Sequence, residues 1–228
     1  RPTFRADWEQ SLRGRDLDMR APLLALALVA TGCASGSVQD LPYYNSAELT
    51  PEWLTTEESG AAHTVPAFAL SDQRGEPITE SDVNGRVVVA SFFFSSCAQV
   101  CPILKNELAR VQAQYLDDDR LVILSHSVMP EVDSQETLAR YAELNDIDAR
   151  RWHLLTGDRA EISALARDGY FVDVGSTPGD LGGYDLIHTE AVALLDGQGH
   201  IRGLYTGTLK LEMDRLLEDI ETLLSEQE

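Results

Sequence analysis

Residues 87–112 read VVVASFFFSSCAQVCPILKNELARVQ, and this stretch decides the fold. Its first eight residues are mostly β-branched or aromatic, a composition typical of a strand buried on both faces. Apolar residues then recur at helical spacing, which predicts that a helix follows the strand directly. Cys97 and Cys101 lie at this junction. Their spacing predicts that both sulfurs lie on one side of the first helical turn, near the positive end of the helix dipole.

This position favours the thiolate form of cysteine, which is the form that binds metals or attacks disulfides. Pro102 fits the first turn of a helix, where its missing N–H costs nothing. The alternative is a structural disulfide in an exported protein, but a bridge across so short a loop would remove little chain entropy. The carboxyl end of a central strand is also where α/β folds place their sites. We therefore predict a reactive cysteine pair.

The elements around this junction predict an α/β fold of the thioredoxin-like sandwich type, with a central mixed sheet flanked by helices. Alternating residues over 65–78 predict a short hairpin that turns at residues 73–75. The order from residue 87 onward is β-α-β-α-β-α-β-β-α, and its last two strands form a hairpin around residues 197–199. The further strands are predicted at residues 121–128, 152–155, 191–196 and 201–205.

Composition limits the classes of partner. The chain has 228 residues, of which 43% are hydrophobic, enough for one core of ordinary size. The formal charge of −20 argues against nucleic acid and anionic membrane surfaces as partners. There are three cysteines, so Cys33 needs an explanation apart from the Cys97–Cys101 pair.

The N-terminal region resembles an export signal. We interpret residues 1–18 as an over-extended or non-native leader and residues 19–32 as a signal peptide of the lipoprotein type. Its apolar run, residues 21–31, is too short for the roughly 20 residues that a membrane-spanning helix needs. Residues 33–62 then form a tether, and residues 63–228 form the folded domain. Side chains of the tether that could dock on this domain are Tyr43, Tyr44, Trp53 and Leu54.

Residues 30–33 read ATGC and resemble a bacterial lipoprotein box, in which small residues precede a cysteine that receives the lipid. Ala30 replaces the commoner Leu. The alternative is an ordinary secretory signal with a chance cysteine. The lipoprotein interpretation predicts that Cys33 is lipidated and holds the protein at a membrane, on the periplasmic or other extracytoplasmic side.

The loop that enters the penultimate strand completes the candidate site. Thioredoxins hold a cis-proline there, whereas residues 184–190 read YDLIHTE and contain none. In this fold His188 would face the cysteines and add an imidazole to two thiolates. Soft thiolates select Cu(I), and imidazole suits copper in either oxidation state, whereas a closed four-ligand cage would suit permanent zinc better. His188 could equally be a surface histidine.

The other polar candidates receive weaker assignments. We expect His126, at the end of a neighbouring strand, to support the site from behind or to be satisfied within the core, and only as a lesser alternative to be a ligand. Three further histidines are expected to be structural or solvated, and three carboxylates to form a solvated rim. These residues are His63, His153 and His200, and Glu131, Asp133 and Asp185.

The CAQVCP sequence of residues 97–102, together with His188, resembles the SCO/SenC family of copper proteins, named for synthesis of cytochrome c oxidase. The resemblance runs from about residue 65 to the C-terminus and includes WHLLTG at 152–157. Two departures stand out, since many members have Asp where this chain has Gln99 and Met129. Both departures remove a carboxylate near the predicted site, which would alter metal exchange.

The resemblance implies that Cys97, Cys101 and His188 bind copper. It also implies that the protein delivers copper to the copper-A site of a cytochrome c oxidase subunit, or prepares the cysteines of that site. Another copper donor or a thiol reductant would then be a partner. The alternative is a thiol–disulfide oxidoreductase that uses Cys97 and Cys101 as a catalytic redox pair. A peroxide-reducing or redox-sensing protein is the weakest alternative, because no Arg or Thr accompanies the cysteines in a peroxidatic arrangement.

Overall fold

The structure is a computed structural model that describes residues 40–172 and 190–227. Its strands are β1 (Tyr43–Tyr44), β2 (Pro51–Glu52), β3 (Ala69–Ser71), β4 (Pro77–Thr79), β5 (Val87–Phe93), β6 (Leu121–Ser127), β7 (Trp152–Leu155), β8 (Ala191–Leu195) and β9 (Ile201–Thr206). Its α-helices are α1 (Thr56–Ser59), α2 (Glu80–Val83), α3 (Val100–Tyr115), α4 (Gln135–Leu144), α5 (Arg159–Ala164), which continues as a π-helical turn over Leu165–Gly169, and α6 (Lys210–Glu226).

The central sheet has five strands in the order β7-β6-β5-β8-β9. Strands β5, β6 and β7 run parallel, whereas β8 pairs antiparallel with β5 and β9 pairs antiparallel with β8. Parallel strands need crossovers, and α3 and α4 provide them. From β5 to α6 the observed order is the one predicted, and the thioredoxin-like arrangement with a mixed sheet is confirmed.

Both faces of the sheet are covered, which explains the apolar composition of β5. All seven of its residues are buried. Val87, Val89 and Phe93 pack in the core beneath α3, α4 and α6. Val88 and Phe92 pack in the core on the other face, with the β3–β4 hairpin and α5. Successive side chains of a strand point to opposite faces of the sheet. Each residue of a central strand, polar residues included, therefore lies in one of the two cores.

The β3–β4 hairpin turns at Gly75, as predicted, with a φ of +79° that glycine adopts without a steric penalty. Asp72 organises the turn, because its carboxylate accepts hydrogen bonds from the backbone N–H of Arg74 at 2.8 Å and of Glu76 at 3.1 Å. The same carboxylate lies 3.1 Å from Nδ1 of His153 on β7. His153 is therefore structural.

The described part of the tether contacts the domain through tyrosine. Tyr43 stacks on the guanidinium of Arg202, with 4.2 Å between the charged carbon and the ring centre. Arg202 also donates to the backbone carbonyls of Leu41 and Pro42. Trp53 is 62% exposed, so the expected docking of its side chain is wrong. Over residues 40–172 and 190–227, no helix is long and apolar enough to span a membrane.

Candidate metal and redox site

The cysteine pair lies at the carboxyl end of β5, where the chain turns into α3. The helix begins at Val100, so Cys101 lies in its first turn, whereas Cys97 precedes the helix and the expectation that it occupies that turn is wrong. The sulfur of Cys97 nevertheless lies against the start of the helix. Its Sγ accepts a hydrogen bond from the backbone N–H of Cys101 at 3.4 Å, and both cysteines are free. The pair is therefore assembled at a positive helix end, as the sequence predicted.

Cys97 is the more readily ionised thiol. Its partial burial would raise its pKa, but the hydrogen bonds that reach its sulfur outweigh this effect. These come from the Cys101 thiol and from the backbone N–H groups of Cys101, Gln99 and Val100, and they hold the pKa of Cys97 below its ordinary value. Cys97 is also the partly exposed member of the pair. It is thus the sulfur that a partner would meet first.

Cys101 has the opposite character. Its side chain is buried, and burial raises the pKa of its thiol to about 12. The hydrogen bond to Cys97 and the charge of Asp133 act in the same direction. The pair therefore combines an accessible, ionisable sulfur with a buried, protonated one, and a cation that replaced the thiol proton could bind both.

Asp133 lies directly behind the pair and is fully buried, so its assignment to a solvated rim is wrong. Its carboxylate accepts hydrogen bonds from the backbone N–H of Ser95 at 3.1 and 3.3 Å and from the Ser127 hydroxyl at 2.6 Å. The Ser95 hydroxyl donates to it as well. Glu131, by contrast, is on the surface, where it pairs with Arg159 at 3.0 Å.

His126 lies on the other side of the sheet from the cysteine pair. It is fully buried among the rings of Phe68, Phe92 and Tyr170, in the core that α5 covers, whereas Cys101 packs in the core beneath α3. Burial lowers the pKa of His126 to about 4. Within the described residues its Nε2 has no hydrogen-bond partner. This placement argues against a ligand role and agrees with a neutral core histidine.

The remaining histidines have structural partners where the structure describes them. His63 lies 2.8 Å from the carbonyl of Gly169, and His200 lies 3.0 Å from Asp196. Within the described ranges no three His, Cys, Asp or Glu side chains form a cluster that could hold a metal ion. His188, Asp185 and Cys33 lie outside those ranges.

The strand that follows His188 begins beside the cysteine helix. Glu190 accepts a hydrogen bond at its backbone carbonyl from Gly207 N–H at 2.7 Å, and its carboxylate accepts one from Thr208. A Cβ atom on Gly207 would lie only 2.4 Å from Leu104, so the loop before α6 packs tightly against the first turns of α3. Glu190 is thus linked through this loop to the helix that carries Cys101.

Comparison with known proteins decides the family. The chain matches the family described as SCO1/SenC over residues 56–225. The chain belongs to the SCO1/SenC family. Among SCO1/SenC relatives, the SCO1 protein homolog of Bacillus subtilis is 25% identical over 162 residues, which cover 70% of this chain and 82% of the relative.

Solved structures agree with this SCO1/SenC assignment. A SCO1/SenC family lipoprotein from Bacillus anthracis has 26% identity and a TM-score of 0.63, covering 71% of this chain and 95% of that one. BsSco, described as a member of the Sco family of cytochrome c oxidase assembly proteins with a disulfide switch, has 24% identity, a TM-score of 0.62 and coverages of 71% and 93%. ScoI of Arabidopsis thaliana with copper bound has 21% identity, a TM-score of 0.56 and coverages of 71% and 99%. The last two support the fold.

Proposed function

We propose that this SCO1/SenC protein is an extracytoplasmic copper metallochaperone that holds copper through Cys97, Cys101 and His188. The observation that carries the proposal is the cysteine pair, in which the Cys97 sulfur lies at the start of α3 within hydrogen-bonding distance of Cys101. Two thiolates and an imidazole form a donor set suited to copper and leave one face open for a receiving protein's ligands. The position of Glu190 beside the cysteine helix supports the assignment of His188.

The receiving protein in this proposal is the cytochrome c oxidase subunit that carries the copper-A site. Family membership supports this partner, because the neighbouring structure of BsSco is described as that of an oxidase assembly protein. The copper-bound ScoI of Arabidopsis thaliana supports copper as the cargo. Another copper donor or a thiol reductant would load or regenerate the site. The net charge of −20 supports the exclusion of nucleic acid as a partner.

Titration of the reduced protein with Cu(I) under anaerobic conditions, against a competing chelator of known affinity, tests the proposal. We expect one Cu(I) to bind each chain tightly enough to be withdrawn from the chelator. Binding too weak to compete, with both thiols verified as reduced, would contradict the carrier function and leave the cysteines to dithiol chemistry.

His188→Ala is expected to weaken copper binding and to change the Cu(II) absorption spectrum, because the imidazole suits Cu(II) whereas the thiolates alone favour Cu(I). The fold should be unaffected. His63→Ala is the matched control, since His63 bonds to the Gly169 carbonyl and has no place in the proposed site. The Cu(II) absorption spectrum and the affinities for Cu(I) and for Cu(II) are measured for each variant. A His188 variant that binds and absorbs like the wild type would remove His188 from the ligand set.

The membrane anchor is a further part of the proposal. Residues 1–18 would be leader, residues 19–32 a cleaved signal and residues 33–62 a tether that joins a lipidated Cys33 to the domain of residues 63–228. The lipoprotein of known structure from Bacillus anthracis supports this arrangement.

Cys33→Ser is expected to move the protein almost entirely from the membrane fraction to the soluble exported fraction. The reason is that the variant lacks the thiol that receives the lipid, while the apolar run of the signal is too short to span the bilayer. Fractionation of cells expressing either form measures this, with Cys97→Ser as a control that should remain at the membrane. Membrane retention of the Cys33 variant would contradict the lipoprotein interpretation.

Thiol–disulfide oxidoreductase activity is the second candidate, and the different pKa shifts of the two cysteines favour it. The Cys97 thiolate would attack a partner's disulfide and form a mixed disulfide. Cys101 would then lose its proton and attack the Cys97 sulfur, which releases the partner as a dithiol and leaves a Cys97–Cys101 disulfide. An external thiol reductant would restore the pair. Catalysed reduction of a disulfide in the copper-A site by the metal-free protein would distinguish this role from copper delivery.

A further inference from the structure

Asp133 is a buried carboxylate that the proposed chemistry does not use. Its side chain has no exposed surface, and within residues 40–172 and 190–227 no Lys, Arg or His pairs with it. Within the part of the chain that the structure describes, the hydrogen bonds to its carboxylate come from two serines, Ser95 and Ser127. Burial of a carboxylate without a cation costs free energy unless the carboxylate is well hydrogen-bonded. The buried charge of Asp133 therefore depends on its contacts with the two serines.

The two serines belong to the carboxyl ends of adjacent parallel strands. Ser127 ends β6 and lies opposite Phe93 in the register, while Ser95 follows β5 by two residues. Asp133 itself is held by a turn, because its N–H donates to the carbonyl of Met129 at 2.9 Å. The carboxylate therefore ties the loop after β6 to the loop after β5, which is the loop that carries Cys97.

The tie acts on the segment that orients the Cys97 sulfur. Cys97 N–H donates to the carbonyl of Phe94 at 3.2 Å, so residues 94–97 form a tight turn with Ser95 inside it. Asp133 accepts both the N–H and the hydroxyl of Ser95. We propose that Asp133 is a positioning residue for the cysteine pair, since it fixes this turn and thereby holds the Cys97 sulfur against Cys101. The proposal rests on the cysteine pair being the functional site and applies to copper binding and to dithiol chemistry alike.

The test measures how well the two sulfurs are held together, without copper. The metal-free protein is equilibrated with glutathione and its disulfide, and the equilibrium constant for Cys97–Cys101 disulfide formation is determined; two thiols of the protein are oxidised as one glutathione disulfide becomes two glutathione molecules. In Asp133→Asn the new amide cannot accept from all three donors. We expect the constant to fall roughly tenfold, the effect of losing one hydrogen bond to a charged group.

Ser95→Ala and Ser127→Ala separate positioning from general stability. Each variant removes one hydroxyl donor from Asp133, but only Ser95 belongs to the cysteine turn. We expect Ser95→Ala to lower the disulfide constant several-fold and Ser127→Ala to leave it near the wild-type value, although both lower the urea midpoint. If Asp133→Asn does not fold, the comparison of Ser95→Ala with Ser127→Ala tests the proposal in its place. A wild-type constant in folded Asp133→Asn, or equal constants in the two serine variants, would overturn the proposal, whereas a failure of copper binding alone would overturn only the metallochaperone function.

Discussion

Cys97→Ser is expected to lower the affinity of the reduced protein for Cu(I) by more than about a hundredfold. Mutation of an outer-shell group that only orients a ligand typically lowers metal affinity 10–100-fold. Cys97→Ser removes a proposed ligand itself, so the loss should be larger. A serine hydroxyl is a hard, protonated donor at neutral pH, so it does not replace a soft thiolate. Because Cys97 is partly exposed and serine has nearly the same shape, the fold should survive.

Competition with a chelator under anaerobic conditions measures the loss, and circular dichroism verifies that the variant is folded. Cys101→Ser should lose affinity similarly. Cys33→Ser is the matched control, because it replaces a cysteine in a different part of the chain and should bind Cu(I) as the wild type does. Retention of wild-type affinity in folded Cys97→Ser would show that copper binds elsewhere and would overturn the proposed site.

The cysteine junction could be predicted because local pattern and global fold agree there. The apolar run of β5 and the helical spacing of α3 each require their own element, and a thioredoxin-like sheet accommodates both. The exact start of the helix could not be predicted. The side chain of Gln99 at the cap position makes no capping hydrogen bond, and the Cys97 sulfur instead accepts one from the helix, so the usual capping signal is absent.

Asp133 was misassigned because its burial depends on a contact between two loops. In the sequence it is an acidic residue between Val132, which is half exposed, and Ser134, which caps α4. Only the parallel pairing of β5 and β6 brings together the two serines that donate hydrogen bonds to it. A usable signal is present in the sequence: Ser95 follows one predicted strand and Ser127 lies near the end of the next, and two hydroxyls at one end of a sheet need an acceptor.

His126 illustrates a second limit. Strand alternation places it on the same face of β6 as Val122 and Leu124, and that much can be read from the sequence. Which of the two faces α3 covers cannot be read in the same way, because both faces of β6 carry buried apolar residues and the alternation does not distinguish them. The structure places Leu121 and Ile123 on the cysteine side, and His126 therefore lies on the other.

Arg202→Met is expected to lower the free energy of unfolding by about 3 kcal/mol, near the lower end of the range for removing one partner of a buried ion pair. Arg202 is only 5% exposed and lies 3.4 Å from Asp196 and 3.3 Å from Glu226. It also donates to the carbonyl of Leu41 at 2.8 Å, and its guanidinium stacks on the Tyr43 ring. Asp196 keeps its contact with His200, which limits the loss.

Urea unfolding of both forms measures this difference, and Arg140→Met is the control. Arg140 also pairs with a carboxylate, but both side chains are largely exposed, and such pairs contribute about 0.5 kcal/mol or less. Both substitutions remove the same charged group, so a large difference between the variants would reflect the burial and tertiary contacts of Arg202. Limited proteolysis should also cut Arg202→Met earlier near residues 40–44, because the guanidinium donates to two backbone carbonyls of that segment and pairs with Glu226 of α6. Equal stabilities for the two variants would mean that the N-terminal segment and the end of α6 are held by their apolar contacts and not by the arginine.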